Sequence, residues 1–393
     1  MSSVITSIAR TPIGKFGGVF RNVSAVDLGA VAIRAALERA GLRAEKIDEV
    51  LFGHVIQAGT GQITSRQAAA KAGVPLTVPA TTINKVCLSG MTAIGWADKD
   101  IRLGEATFVV AGGMESMTGA PYLLPEGRYG TGYGEGRIID ALEHDGLFCS
   151  FDQCTMGAQS DVNSARLGID RSEQDEWAAA SHQRAASASQ GAFIDEIVPV
   201  EVPQQRGDPV IVDRDEGIRP DSTAETLGAL KASFSADGTI TAGNASQISD
   251  GAAAVVVADA DAADAEGLPV LAEILSYGQI GGVDATLHER PAEALKTALK
   301  TADLSPADLD LVEINEAFSG VALWSAKMLD LPHDKVNVNG GAVALGHPLG
   351  TTGARLIVTL INALRHQGGG IGGASLCGGG GQGDAMIVRV PAP

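Results

Sequence analysis

Ala36-Leu37-Glu38-Arg39-Ala40-Gly41-Leu42, followed by Ile47-Asp48-Glu49-Val50, has a late echo in Ala298-Leu299-Lys300-Thr301-Ala302-Asp303-Leu304, followed by Leu309-Asp310-Leu311-Val312. Each copy reads as the end of a helix, a stop, and then a strand. Around the first copy, Asp27 to Ala40 carries Leu28, Val31, Ala32 and Ala35 at helical spacing and ends before Gly41. Val50 to Gly53 reads as a strand, Cys87 to about Arg102 as a helix, and Thr107 to Ala111 as a strand ended by Gly112-Gly113. Such alternation predicts an α/β protein with a largely parallel sheet covered by helices. A second echo joins Val109-Val110-Ala111-Gly112-Gly113 to Ala374-Ser375-Leu376-Cys377-Gly378. A duplicated α/β half explains both, although unrelated helix-turn-strand units also look alike.

Between the copies the texture changes. Residues 118 to 246 hold Gly-rich and charged stretches, Gly127 to Gly136 and Arg206 to Glu216 among them. They read as an inserted, loop-rich region, and long insertions of that kind usually carry function. A strand over Ala252 to Ala258 then returns to the first half.

The chain has 393 residues, too long for a single core. Its formal net charge of −18 argues against nucleic acid, which demands a basic footprint. Aromatic residues are only 4%, so the cores must be built from Ala, Val, Ile and Leu. The four cysteines, Cys87, Cys149, Cys154 and Cys377, form no Cys-x-x-Cys pair and no disulfide framework, which favours a reducing compartment. No signal peptide, lipidation signal or apolar run of membrane-spanning length is visible, so the expected location is the cytoplasm.

Four stretches carry residues suited to chemistry. Cys87 lies in Asn84-Lys85-Val86-Cys87-Leu88-Ser89-Gly90, where a helix begins, and a helix start lowers a thiol pKa and favours the nucleophilic thiolate. His347 sits between Gly346 and Pro348 on a constrained turn, where an imidazole could activate a cysteine or donate to an oxyanion. Cys377 opens Cys377-Gly378-Gly379-Gly380-Gly381-Gln382-Gly383, whose backbone N–H groups suit an oxyanion hole and match no phosphate loop. Asn315 in Glu313-Ile314-Asn315-Glu316-Ala317-Phe318 could hold a water, and Phe318 could wall a pocket. Each stretch also fits a structural part: a buried thiol, a histidine on a turn carbonyl, a flexible turn, a helix cap. Together they place two cysteines, a histidine and an asparagine at strand-to-helix junctions, the end of an α/β sheet where sites form.

In this order the motifs resemble the thiolase family over essentially the whole chain. Arg10-Thr11-Pro12-Ile13-Gly14-Lys15-Phe16-Gly17-Gly18, Gly112 to Met117, Asn244 to Gly251, Asn-Glu-Ala-Phe, Gly-His-Pro and Cys-Gly-Gly-Gly-Gly-Gln-Gly form the set. The resemblance implies two similar α/β halves in a five-layered αβαβα core with an inserted loop domain. The halves would be residues 1–117, with 247–268 returning to it, and 269–393; the loop domain, 118–246, would bind CoA. It further implies an acyltransferase of the acetyl-CoA acetyltransferase type, condensing two acetyl-CoA to acetoacetyl-CoA and CoA. A thiolase of longer 3-ketoacyl chains and a non-catalytic acyl-CoA-binding protein are the alternatives. Cys87 matches the acylated nucleophile, His347 its activator, and Cys377 the acid/base at the α-carbon. His347 with a water on Asn315 matches one oxyanion hole; the N–H groups of Cys87 and Gly379 match the other. Arg219, Thr226, Phe234, Ala242 and Ser246 align with the CoA path, and Met156, Ala317 and Phe318 with its reactive end. The resemblance implies no metal and no nicotinamide, CoA thioesters as substrates, no membrane, and a homotetramer or homodimer. Leu88, Thr155 and residues 278–288 depart from the family pattern, which bears on acyl-chain preference. Cys149 and Cys154 match no family role and read as structural.

Overall fold

The computed structural model describes residues 2–204 and 206–392. The main path of its large sheet is made of β1 (Ser3–Arg10), β2 (Glu49–Gly53), β3 (Ala80–Ile83), β4 (Phe108–Ser116), β5 (Ser249–Asp259), β6 (Ala272–Gly281), β7 (Leu311–Ile314), β8 (Gly370–Gly378) and β9 (Gln382–Val390). They lie in the order β7-β8-β9-β6-β1-β5-β4-β2-β3. The two halves of this path mirror each other. If residue 36 is placed over 298, Glu49 falls on Leu311, and Phe108 to Ser116 falls on Gly370 to Gly378, end for end. The halves join through only two residue pairs of β1 and β6, Val4 with Glu273 and Ile5 with Ala272.

The sheet is mixed, not largely parallel. Only the outer strands pair in parallel, β2 with β3 and β4, and β7 with β8. The inner pairs are antiparallel. The short link explains one case: β8 and β9 are joined by Gly379 to Gly381, too short for the crossover that a parallel pair needs.

The longer helices are α1 (Ala25–Ala40), α2 (Thr64–Ala72), α3 (Ser89–Leu103), α4 (Met156–Leu167), α5 (Arg171–Ala188), α6 (Arg290–Thr301), α7 (Ser319–Met328) and α8 (Leu349–His366), and short ones include Ala224–Gly228. Three apolar cores arrange them in layers. One packs α1 and α2 on the outer face of the first half-sheet. Another fills the space between the half-sheets with α3 and α8. The third packs α6 and α7 on the outer face of the second. The order is therefore helix, sheet, helix, sheet, helix. α8 is buried from Leu349 through Leu364, as a helix enclosed on all sides must be. Among the described residues no helix is long and apolar enough to cross a membrane.

The inserted region is more helical than its composition suggests. Thr155 caps α4 by accepting the Ala158 N–H at 3.3 Å, and Asp170 with Glu173 makes a capping box for α5. The irregular part is the exposed run from Leu124 to Ile138.

Gly112-Gly113 does not end a strand, since β4 runs on to Ser116. The glycines serve close approach instead: a Cβ on Gly113 would lie 1.9 Å from the carbonyl oxygen of Gly350 at the start of α8. Neither backbone can retreat, so Gly113→Ala should exceed the usual ~1–3 kcal/mol of overpacking and lower the thermal unfolding midpoint. An unchanged transition in calorimetry would mean that β4 and α8 do not meet this closely.

Candidate active site

Cys87 stands on a strained turn just before α3. Val86 has φ 51, a left-handed conformation that a β-branched residue rarely takes and that costs about 1–3 kcal/mol. Its neighbours impose it. Val86 N–H donates to Asn84 Oδ1 at 3.1 Å, Lys85 N–H donates to Ser89 Oγ at 2.8 Å, and Ser89 Oγ donates to the Val86 carbonyl at 2.6 Å. Lys85 Nζ reaches the buried Asp384 carboxylate at 2.7 Å, which also accepts from Thr92 and Tyr277 hydroxyls at 2.7 Å each. The Cys87 turn of one half is thus pinned to β9 of the other.

The Cys87 sulfur receives the backbone N–H of Gly379, and its own N–H also points to it. These donors and the helix start do not lower its pKa as position alone suggests. Burial outweighs them and, with Glu115 nearby, pushes the thiol up to about 12. Cys377, buried on the last turn of β8, is raised too, by burial first and by Cys87 second. Both thiols are therefore neutral at rest.

His347 is held from both sides. Its N–H donates to Ser249 Oγ at 2.8 Å and to the Gln247 carbonyl at 3.0 Å. Its Nδ1 lies 2.6 Å from Thr352 Oγ1, which itself donates to the Pro348 carbonyl at 2.9 Å. With the hydroxyl proton so engaged, Thr352 accepts from Nδ1–H, and the proton-free nitrogen is Nε2. Asn315 Nδ2 lies 3.4 Å from that Nε2. Burial, then Arg355, lowers the His347 pKa to about 3, so the imidazole is neutral and able to accept a proton.

Two buried carboxylates fix the loops that carry these groups. Glu316 accepts from Trp177 Nε1, Asn337 Nδ2, Ser181 Oγ and the Val343 N–H at 2.7 to 3.0 Å. Glu115 accepts the N–H groups of Val55, Ile56 and Gly350 at 2.9 to 3.1 Å. Burial raises Glu115 to about 7 despite those donors.

The side chains meet in a cavity of about 60 Å³ lined by Cys87, Cys377, Gly379, His347, Ala317 and Phe318. Asn315 is fully buried behind it and reaches it through His347. A cleft of about 580 Å³ leads outward and shares Met156, Ser246, Phe318 and His347 with the cavity. Arg219, Phe234 and Ala242 line the cleft, with Phe234 edge-on to Phe318 at 6.2 Å. Thr226 lies apart: it does not line the cleft, and its hydroxyl donates to the Thr223 carbonyl at 3.0 Å in a helix cap. Among the described residues no cluster of three His, Cys, Asp or Glu suits a metal ion.

The departures from the family pattern also find their places. Leu88 is fully buried in the middle layer, against Gly378, and does not face the cavity. Thr155 lines the cleft and not the small cavity. Within 278–288, Leu287 lines the cavity, and His288 is buried between Asn163 and Ser164. Sequence reading passed over Lys85, Asp384, Thr352, Glu115 and the role of Glu316. The one signal for Glu316 was its place inside a chemistry-bearing motif.

A neutral thiol predicts a pH dependence. The thiolate fraction at Cys87 rises tenfold per pH unit while pH stays below about 12. Iodoacetamide modification of Cys87, followed by peptide mass spectrometry, should still be climbing at about pH 9. A plateau near neutrality would contradict a neutral resting pair.

Residues 3–261 match the thiolase N-terminal domain and residues 268–390 the thiolase C-terminal domain. A probable acetyl-CoA acetyltransferase of Mycolicibacterium smegmatis is 50% identical, over 98% of this chain and 100% of its own. The acetyl-CoA acetyltransferase of Cupriavidus necator is 47% identical, over 98% of both chains. The crystal structure of the Bacillus anthracis acetyl-CoA acetyltransferase superposes with a TM-score of 0.96 at 42% identity, covering 99% of this chain and 98% of that one.

Proposed function

The chain belongs to the thiolase family, and from that premise we propose that it condenses two acetyl-CoA to acetoacetyl-CoA and CoA, reversibly, through an acetylated Cys87. The observation that carries this reading is the small cavity in which Cys87, Cys377, His347 and Gly379 meet at the floor of a long cleft. Its size supports a short acyl group. At about 60 Å³ it is far smaller than the 580 Å³ cleft that leads to it, and Leu147, Leu287 and Phe318 close it.

The protons balance over the cycle. His347 Nε2 takes the Cys87 proton as the sulfur attacks the thioester carbonyl. The CoA sulfur leaves, takes its proton from Cys377, and departs as CoA. Cys377, now a thiolate, removes a proton from the α-carbon of a second acetyl-CoA. The protonated His347, seconded by Asn315, stabilises the enolate oxygen that results. The enolate carbon attacks acetyl-Cys87, whose oxyanion faces the N–H groups of Cys87 and Gly379. Cys87 leaves as thiolate and recovers its proton from His347.

CoA then occupies the cleft formed by the inserted segment 118–246, with Arg219 as a local cation for its phosphates. We place the enzyme in the cytoplasm and in fatty acid metabolism. Tyr122, Leu124, Tyr129, Tyr133 and Ile138, exposed on one segment, support assembly as a homotetramer or homodimer.

The test is CoA-dependent cleavage of acetoacetyl-CoA beside a longer 3-ketoacyl-CoA. Wild type should prefer the short substrate, and Cys87→Ala should lose on the order of 10³-fold or more. Preference for the longer chain would move the activity to the alternative substrate class. Cys377→Ala should still acquire an acetyl group on Cys87 by mass spectrometry yet condense poorly. Absence of the acyl-enzyme in that variant would merge the two cysteine roles.

A further inference from the structure

Cys149 and Cys154 take no part in the cycle proposed above. They face each other across a two-residue antiparallel ribbon in which Phe148 pairs with Thr155 and Cys149 with Cys154. Directly opposed residues share one face of such a ribbon, with Cβ atoms about 4.5–5.5 Å apart. A disulfide needs about 3.5–4.5 Å, so a small side-chain and backbone adjustment brings the sulfurs together. Gln159 on α4 holds both in one place. Its Nε2 donates to Cys149 Sγ at 3.3 Å, and its backbone N–H reaches the Cys154 sulfur. The two thiols differ in access. Cys149 is buried, whereas Cys154 is half-buried and lines a separate cavity of about 280 Å³ with Asp152, Gln159, Arg166 and Asp284.

The hairpin matters because of what it joins. Leu147 precedes it and Met156 follows it, and both line the acyl cavity. We propose that Cys149 and Cys154 form a reversible intrachain disulfide, a redox-sensitive staple that fixes the spacing of Leu147 and Met156 at the acyl cavity. The oxidant is a low-molecular-weight disulfide, RSSR. Cys154 thiolate attacks one of its sulfurs, and the mixed disulfide Cys154–S–SR forms with release of RSH. Cys149, behind it, loses its proton and attacks the Cys154 sulfur, and a second RSH leaves. The two cysteine sulfurs are oxidised by two electrons, which reduce RSSR to two RSH. Burial, then Cys149 and Asp152, keeps the Cys154 thiol above its ordinary range. The exchange therefore quickens as pH rises.

The test separates this pair from the reaction centre. A Cys87→Ser/Cys377→Ser variant leaves Cys149 and Cys154 as the only thiols of the chain. It is incubated with oxidised glutathione, alkylated and digested with trypsin; Ile138 to Arg166 then carries both cysteines on one peptide. The expected product is that peptide unalkylated and lighter by two hydrogen atoms, with both alkylation sites restored by dithiothreitol. Adding Cys149→Ser should stop the reaction at a glutathione adduct on Cys154. Recovery of both cysteines alkylated, or a glutathione adduct that persists with Cys149 free, would overturn the proposal. The same peptide from oxidised wild type should carry the bridge even if the variant folds poorly. Thiolase turnover is not the readout, so failure here leaves the proposed activity untouched, and the converse holds.

Discussion

The carbonyl oxygen of Gly350 is the point about which the middle of the molecule is packed. A Cβ on Gly53, Gly90 or Gly113 would meet it at 2.7, 2.8 or 1.9 Å. The end of β2, the first turn of α3 and the middle of β4 therefore converge on the first turn of α8. Two helix starts are held against each other as a result, and each presents the positive end of its dipole. Cys87 precedes one of these helices and His347 the other. Since α3 and α8 hold equivalent places in the two halves, the proposed reaction centre forms where the copies face each other. One copy supplies the sulfur and the other the imidazole. Neither half could build the site alone.

That convergence is largely enclosed, and the enclosure sets the protonation states. A thiol pushed to about 12 and an imidazole lowered to about 3 make a neutral pair. A separated thiolate and imidazolium would be costly here without partners. The donors that offset the cost are aimed at the place where charge develops, and at rest the Gly379 N–H lies on the Cys87 sulfur. Permanent charges nearby are treated differently. Arg10 meets Glu196 at 2.6 Å and Asp215 at 2.7 Å, and Asp384 and Glu316 are each surrounded by donors. Fully partnered groups hold the loops still, while the sparsely partnered ones are left to react.

Much of this could be read from the residues because local rules act over short spans. The helix over 27–40, the strand at 50–53 and the repeated unit at 298–312 follow from apolar spacing and stop signals; the echo between β4 and β8 is real but its register is three residues off, since Val109 falls on Ile371 and not on Ala374. What escaped was non-local. The antiparallel return of β5 depends on a partner far away in sequence, and no period records it. Gly112-Gly113 looks like a turn until the carbonyl of Gly350 is placed above it. Leu88 bears on chain preference in one dimension and on middle-layer packing in three. The raised thiol of Cys87 was unreadable for the same reason: a helix start is visible in sequence, but the burial that outweighs it is made by residues from both halves. Thr352, five residues after His347, settles which imidazole nitrogen is free, and only the bend at Pro348 brings the two side chains together.

Burial also ranks the cysteines against outside reagents. A thiolate is the species that attacks a disulfide, and its scarcity at Cys87 and Cys377 slows such exchange in the resting state. In the proposed cycle the substrate thioester escapes this limit because His347 is already placed to take the proton. Deprotonation is thereby tied to the presence of an acyl group in the cavity. Cys154, whose thiol is raised as well, opens on a different cavity. The proposed staple thus sits on a hairpin flanked by the cavity residues Leu147 and Met156, apart from the sulfurs of the proposed cycle.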